Sequence, residues 1–307
     1  MSVGAAPVIR DVTEGDAAAV LDLIVLCDLA EIGEPDYTID DVEADLARTT
    51  HRGLVAVGPD GEVEGYGWVE RRTNHTAINA DVMVRPGSDP GLLGRLLDDV
   101  LAAARDIDRG LAVQVFVSSA NRMKSALLES AGARVVRHFW RMTVDLPDSP
   151  PPQAPDLPPG VEVRLADSGE ADLRAVHRVL DSAFLDHFGN QSSTFEDWAP
   201  THTTGSWADF SLWWLATVDG VPAAAQIAAN PTGSGGYIAD LGTLPAYRGR
   251  GLGRALLLTA FAEFHRRGLR TVSLGVDATN PTGAVALYES VGMAARHEFA
   301  TYELSPA

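Results

Sequence analysis

Arg248-Gly249-Arg250-Gly251-Leu252-Gly253-Arg254 is the stretch of this sequence best suited to hold an anion. Glycines let consecutive backbone N–H groups turn inward and approach a ligand closely, and a helix starting directly after them adds partial positive charge at its N-terminus. A pyrophosphate fits such a nest. Charge agrees: Leu241 to Val276 carries six arginines and one acid, Glu263, in a chain with 42 acidic and 24 basic residues. The spacing is not G-x-G-x-x-G with an acid about 20 residues on, as a dinucleotide site requires, and no Lys-Ser or Lys-Thr follows, which excludes an ATP-binding P-loop.

Downstream, the strand-like TVSLGVDA leads to Asn280-Pro281 and then GAVALYES, closed by Gly292. Asn as N-cap and Pro at the first helical position predict a helix beginning near Pro281. Ala284 and Tyr288 then share a face by their i, i+4 spacing. A phenol on that face is suited to give a proton or hydrogen bond to a departing thiolate. Asn280 reads equally as a ligand contact and as a plain helix cap.

These residues need a strand before the loop, Ile238 to Thr243, and an apolar helix after it that runs to about Arg267 with Gly268 at its C′ position. Around them the chain repeats itself at a period of about 150 residues, right for a duplicated domain. Each half opens with a short strand ending on an arginine and an amphipathic helix, VIRDVTEGDAAAVLDLI and VEVRLADSGEADLRAVHRVL. Each continues with a strand pair turning at Asp60-Gly61 or Asp219-Gly220. A strand, a Gly-containing loop, a helix, a further strand, a short helix and a β-rich tail follow in both. The order argues for an α/β (α+β) layer fold with a mixed sheet. Between the halves, PDSPPPQAPDLPPG has seven prolines and reads as a stiff connector. The expected division is 1–147, a linker at 148–159, and 160–307.

R-x-x-G-x-G after a strand, followed by an Asn and a helix tyrosine, resembles the GNAT (GCN5-related) N-acetyltransferases. The resemblance is closest over Ile238 to Met293 and extends over 160–307. It implies two tandem GNAT-like domains, each a mixed, mostly antiparallel sheet flanked by helices. It implies that Arg248, Gly249, Arg250, Gly251, Leu252, Gly253 and Arg254, with Asn280 and Ala284, bind the CoA moiety of acetyl-CoA as co-substrate. Leu241, Gly242 and Thr243 would hydrogen-bond the pantetheine arm through a splayed strand, and Tyr288 would act on the leaving thiolate. The implied chemistry is direct transfer, with a neutral amine attacking the thioester. Two such domains in one chain are similar to the tandem type that includes mycothiol synthase, which acetylates the cysteinyl amine of a glycosylated inositol. In that type a glutamate on the strand before the loop is the base. The matching position here is Tyr237, and Asp240 is the nearest carboxylate.

Aligning Gly94-Arg95 with Gly253-Arg254 sets Asp89 opposite Arg248 and Leu92 opposite Gly251, and aligning LLESAGA with LYESVGM sets Leu128 opposite Tyr288. An acid repels a pyrophosphate, and leucine donates no proton. The first half therefore reads as a degenerate copy packed against a working second half.

The protonated amine must lose a proton, and the candidates are Asp240 beside the splayed strand and His187 in AFLDHFG. His187 and Trp198 are the candidates for holding the acceptor. Trp198, Trp207, Trp213 and Trp214 either wall an acceptor cleft or pack as core. No His, Asp and Glu set has metal-ligand spacing, and no G-x-S-x-G elbow occurs. The lone cysteine, Cys27, excludes disulfides within the chain and reads as a buried thiol. A formal charge of −18 argues against nucleic acid and anionic membrane as partners. There is no run of 18 apolar residues and no signal-peptide pattern at the start, so a cytoplasmic protein is expected. The leading expectation is transfer of acetyl from acetyl-CoA to a primary amine of a small molecule or peptide, in the second half. The alternative is a non-catalytic acyl-CoA sensor or scaffold.

Overall fold

The structure, a computed structural model, describes residues 6–71, 75–148, 156–185, 191–205, 208–230, 232–233, 235–280 and 282–306. The elements in chain order begin β1 (Val8–Asp11), α1 (Ala17–Glu31), α2 (Ile39–Ala47), β2 (His51–Val57), β3 (Val63–Glu70), β4 (Ile78–Val84), α3 (Pro90–Ile107), β5 (Val113–Ser118), α4 (Arg122–Ser130) and β6 (Arg134–Asp145). They continue β7 (Val161–Leu165), α5 (Glu170–Phe184), α6 (Phe195–His202), β8 (Trp213–Val218), β9 (Val221–Ala229), β10 (Gly236–Thr243), α7 (Leu252–Arg266), β11 (Thr271–Asp277), α8 (Ala284–Ser290) and β12 (Ala294–Leu304).

The chain divides into two compact units, Met1–His138 with His297–Ala307, and Phe139–Arg296. The first has strand order β1-β2-β3-β4-β5-β12 and the second β6-β11-β10-β9-β8-β7. Within each, one parallel pair (β4 with β5, β10 with β11) sits among antiparallel pairs. This is the mixed, mostly antiparallel sheet flanked by helices that the element order implies. The closing strands are exchanged: Phe299–Leu304 of the last strand pair with Val113–Ser118, and Phe139–Asp145 pair with Thr271–Asp277. A reading of sequence alone leaves each tail with its own half, because strand pairing is a non-local choice that local pattern does not encode.

Helices cover both faces of each sheet. In the first unit α3 packs Leu92, Leu96, Leu97 and Val100 against Ile78, Ala80 and Val82, while α1 packs Val20, Leu23 and Ile24 against Val55 and Tyr66. In the second, α7 contributes Leu252, Leu256, Leu257, Phe261 and Phe264 to one core, and α5 contributes Val176, Val179 and Leu180 to the other with Trp213 and Ile227. The duplicated arginines are structural. Arg10 pairs with Asp16 and Arg164 with Asp172, tying each opening strand to the start of its helix. Helices α2 and α6 lie in stretches where the sequence pattern shows only a lead into the hairpin. Their signal is the cap T-x-x-D: Thr38 accepts from the amide of Asp41, and Thr194 from that of Asp197.

Candidate active site in the second unit

The strand before the loop is bent out of line. β10 pairs in register with β9 on either side of a shift between Ile238 and Asp240, which leaves Ala239 as the extra, exposed residue of a bulge. Pairing of β10 with β11 covers Gly236–Ile238 alone among the described residues, although β10 stays paired to β9 as far as Thr243. Past the bulge the two parallel strands separate. Backbone groups of Asp240 to Thr243 alternate between the β9 edge and the open edge, so this stretch offers N–H and C=O groups to a ligand lying in the gap. Gly242 is required where it stands: a Cβ there would lie 2.8 Å from Ala183 of α5.

The loop has the backbone its glycines suggested. Gly249 and Gly251 adopt left-handed φ values of 76° and 79°, and added side chains would point into open space. Gly251 is the N-cap of α7, and no side chain caps that helix. The first-turn amides of α7 and the dipole behind them are therefore directed at the open space, and a pyrophosphate fits. The arginines divide. Arg250 and Arg254 are exposed. Arg248 is turned inward, its Nε donating to the Thr243 carbonyl and its Nη2 to the Ala183 carbonyl, both at 3.3 Å. It braces β10 against α5. Leu252 is buried in the core, and Gly253 lets α7 approach α8, since a Cβ there would lie 3.0 Å from Leu287. At the other end of α7, Arg266 and Arg267 pair with Glu263 and Arg270 with Asp148. The excess of arginines seen in the sequence thus has two uses, and only its first part faces the loop.

Helix α8 begins later than the sequence predicts, at Ala284 after a left-handed Gly283, rather than near Pro281, which lies outside the described residues. The side chain of Asn280 accepts from the amide of Thr282 at 2.8 Å, an Asx turn, so it shapes the approach to the helix instead of capping it. Ala284 is half-buried against the core. Tyr288 is 7% exposed, and its phenol is pushed up to about 12, first by burial and then by the negative potential of Asp240 and Tyr237. At that value it is neutral throughout the physiological range, and the Asp240 carboxylate acts on it electrostatically.

Asp240 projects from β10 on the face of Gly242, the face of α5 and α6. Its Oδ2 lies 3.8 Å from Nε2 of His202 at the end of α6. Sequence reasoning misses His202; the spacing that finds it is Trp198 and His202 at i, i+4 on a helix of only eight residues. Trp198 itself is 8% exposed and packs with Trp213 and Val176 in the core, which leaves its indole as the floor on which the His202 ring stacks at 4.6 Å. Trp213 and Trp214 are buried strand residues. His187 and Trp207 lie outside the described residues.

The matching positions in the first unit are closed. There too the parallel pair β4–β5 covers Ile78–Ala80 while β4 runs on beside β3 to Val84. The amide of Gly91 at the first turn of α3 is taken by the Asp89 side chain, Leu128 is buried core, and the buried Lys124 of α4 forms an ion pair with Asp81 at the point of divergence.

Comparison with known proteins agrees with this geometry. Residues 176–293 match the family described as acetyltransferase (GNAT) family. The chain is 33% identical over 272 residues to a mycothiol acetyltransferase of Cellulomonas flavigena, spanning 85% of this chain and 76% of that protein. It is 30% identical over 302 residues to the mycothiol acetyltransferase of Geodermatophilus obscurus, spanning 94% and 96%. Among solved structures, a GCN5-related N-acetyltransferase from Sphaerobacter thermophilus superposes with a TM-score of 0.78 at 30% identity, covering 97% of this chain and 95% of that one. A tandem GNAT protein from the clavulanic acid biosynthesis pathway shares the fold, with a TM-score of 0.78 at 16% identity over 98% and 99% of the chains.

Proposed function

This chain belongs to the GNAT acetyltransferase family, as an acetyl-CoA-dependent N-acetyltransferase, and we propose that its working site is the gap between β10 and β11 in the second unit. The observation that carries this reading is the splayed strand β10 leading to the uncapped N-terminus of α7, with Leu241 packed against the core that holds the buried Tyr288. Acetyl-CoA supplies an activated acyl group as a thioester. The loop amides from Gly249 to Gly253, with Arg250 and Arg254, hold the pyrophosphate, and Leu241, Gly242 and Thr243 hold the pantetheine arm by their backbone.

With its phenol near 12, Tyr288 remains a donor at every working pH. That value lies above the range of a thiol, so handing the proton fully to the leaving thiolate is uphill. Tyr288 therefore acts as a hydrogen-bond donor that stabilises charge on sulfur as the C–S bond breaks. Asp240 takes the proton of the incoming amine. Arg248 and Gly253 serve packing, and Trp198 supports the acceptor side from beneath.

The acceptor is a primary amine on a small molecule. Similarity to mycothiol acetyltransferases makes the cysteinyl amine of a glycosylated inositol the first acceptor to test. Thiol release from acetyl-CoA with a panel of primary amines tests the reading. Turnover that depends on the amine and on Tyr288 is expected. Acetyl-CoA binding without turnover on any amine favours an acyl-CoA sensor instead.

A further inference from the structure

We propose that His202 is a positioning residue for proton removal: with Asp240 it forms a relay that carries the amine's proton from the reacting centre to solvent. This rests on the site assignment above and adds a residue that neither the motif nor the comparisons point to.

The tautomer of His202 follows from its neighbours. Its Nδ1 lies 2.8 Å from the carbonyl oxygen of Trp198 and 2.9 Å from Oγ1 of Thr201. Thr201 already donates its hydroxyl proton to that same carbonyl at 2.8 Å, so both neighbours of Nδ1 act as acceptors. Nδ1 must then carry a proton, which leaves Nε2 as the basic nitrogen. Nε2 faces Asp240 Oδ2 at 3.8 Å. A lone pair on nitrogen opposite a carboxylate oxygen is an arrangement that one added proton completes. The ring is fixed in that pose by stacking on Trp198 at an interplanar angle of 17°.

Asp240 directly precedes Leu241–Thr243 on β10, where β10 runs on beside β9 after leaving β11, so it stands beside the proposed reacting centre. Both side chains reach water, His202 with 31% and Asp240 with 25% of its surface exposed, and His202 gives the proton a second group to leave from. The balance is simple: the ammonium group loses one proton to Asp240, Asp240 passes it to Nε2, and the imidazolium releases it to solvent, leaving the amine lone pair free to attack. The 3.8 Å gap exceeds a hydrogen bond, as such contacts often do before substrate binds and tightens them. Among the described residues, the charged and titratable groups near the pair include Tyr237 on β10, Tyr288 on α8, Arg141 on β6 over the Tyr237 ring, and His177 of α5 against the Trp198 ring.

The test is the pH profile of kcat with a turning-over amine for the wild-type chain, His202→Gln and His202→Ala. Glutamine keeps a donor for the Trp198 carbonyl but cannot titrate. In the wild type, kcat should be flat from about pH 7 to 9, because the relay deprotonates bound ammonium. In His202→Gln it should fall about 100-fold at pH 7 and rise about tenfold per pH unit toward alkaline pH, as bulk solvent supplies the free amine. KM for acetyl-CoA should be unchanged, and added imidazole should restore part of the rate of His202→Ala, which no loss of packing would allow. A profile for His202→Gln that parallels the wild type, or a pH-independent loss with no rescue by imidazole, overturns the relay while leaving the acetyltransferase reading intact. A wild-type chain that releases no thiol with any amine overturns both.

Discussion

The carboxylate of Asp89 accepts a hydrogen bond from the amide of Gly91, 3.1 Å away, and so closes the N-terminus of α3 with a charge from its own chain. In α7 the corresponding end starts at Gly251 and has no side-chain cap. A negative charge already seated on the first-turn amides satisfies them and repels a second anion. One molecule of acetyl-CoA should therefore bind per chain. Isothermal titration calorimetry reads this directly, and two equal sites would show that the first unit keeps a functional cradle.

Replacing Gly251 with valine should weaken acetyl-CoA binding at least about 100-fold. Its φ of 79° costs an L-residue about 1–2 kcal/mol, and the new side chain would project into the ligand's space. Gly87, with φ of 90° and likewise nothing near its Cβ position, is the control in the first unit. Gly87→Val should carry similar strain, visible as a lower unfolding midpoint, and leave acetyl-CoA affinity unchanged. Equal losses of affinity in both variants would assign the effect to stability alone.

Tyr288→Phe should lower kcat about 100-fold and leave KM for acetyl-CoA within about twofold, because the hydroxyl acts on charge that develops at sulfur and not on bound substrate. With the phenol pushed up to about 12, the wild-type enzyme should show no alkaline fall in kcat attributable to Tyr288 below about pH 11. Stability follows the same shift. The native pKa lies above the unfolded value of 10, so the stability this group contributes is complete below pH 10 and is lost as pH rises from 10 through about 12. Urea midpoints over that range should fall more steeply for the wild type than for Tyr288→Phe.

The parts legible in the sequence were those fixed by local chemistry. Gly249 and Gly251 announced a backbone free of side-chain hindrance, and Gly268, at φ of 86°, closes α7 where its position suggested. The parallel between halves marks Asp89 and Leu128 as misfits from residue type alone. The rest depends on tertiary choices. The motif position of Arg248 does not foretell that its guanidinium bonds to the carbonyls of Thr243 and Ala183. Asn280 and Pro281 spell a helix start, yet Gly283 supplies it. His202 has no motif of its own, because the relation that gives it a role joins the end of α6 to a bulged strand about 40 residues later.

The exchange of closing strands makes the halves of the sequence poor folding units. A fragment spanning 160–307 would lack Phe139–Asp145, leaving the edge of β11 unpaired along Thr271–Asp277 and removing Met142 and Leu146 from the core. It would also carry β12, which pairs with β5 of the missing half. An exposed strand edge of that length favours association. The fragment should be insoluble or lack a cooperative thermal transition, whereas the full chain should unfold cooperatively by circular dichroism. A soluble, cooperatively folding 160–307 fragment would mean that β12 can replace β6 beside β11.

The first unit keeps the carboxylate of the divergence point and neutralises it. Ala80-Asp81 in β4 corresponds to Ala239-Asp240 in β10, but where α8 has Ala284, α4 has Lys124, which is 5% exposed and ion-paired with Asp81. Glu31 stands nearby, its carboxyl raised by burial against the opposing pull of Lys124 and a 2.7 Å hydrogen bond from Asn121. Lys124→Met removes the cation from two carboxylates, and breaking a buried pair in this way costs about 3–5 kcal/mol. Burial raises the Glu31 carboxyl, so Glu31 costs least when protonated, and the deficit of Lys124→Met should be largest at neutral pH and shrink as pH falls through the range where carboxyls protonate. The double variant Lys124→Met with Asp81→Leu should recover most of the loss, since it removes both charges of the pair together. Urea unfolding at about pH 5 and pH 7 measures all three chains. A deficit below about 1 kcal/mol for the single variant would mean that the splay in the first unit admits water and that Lys124 is not what closes it.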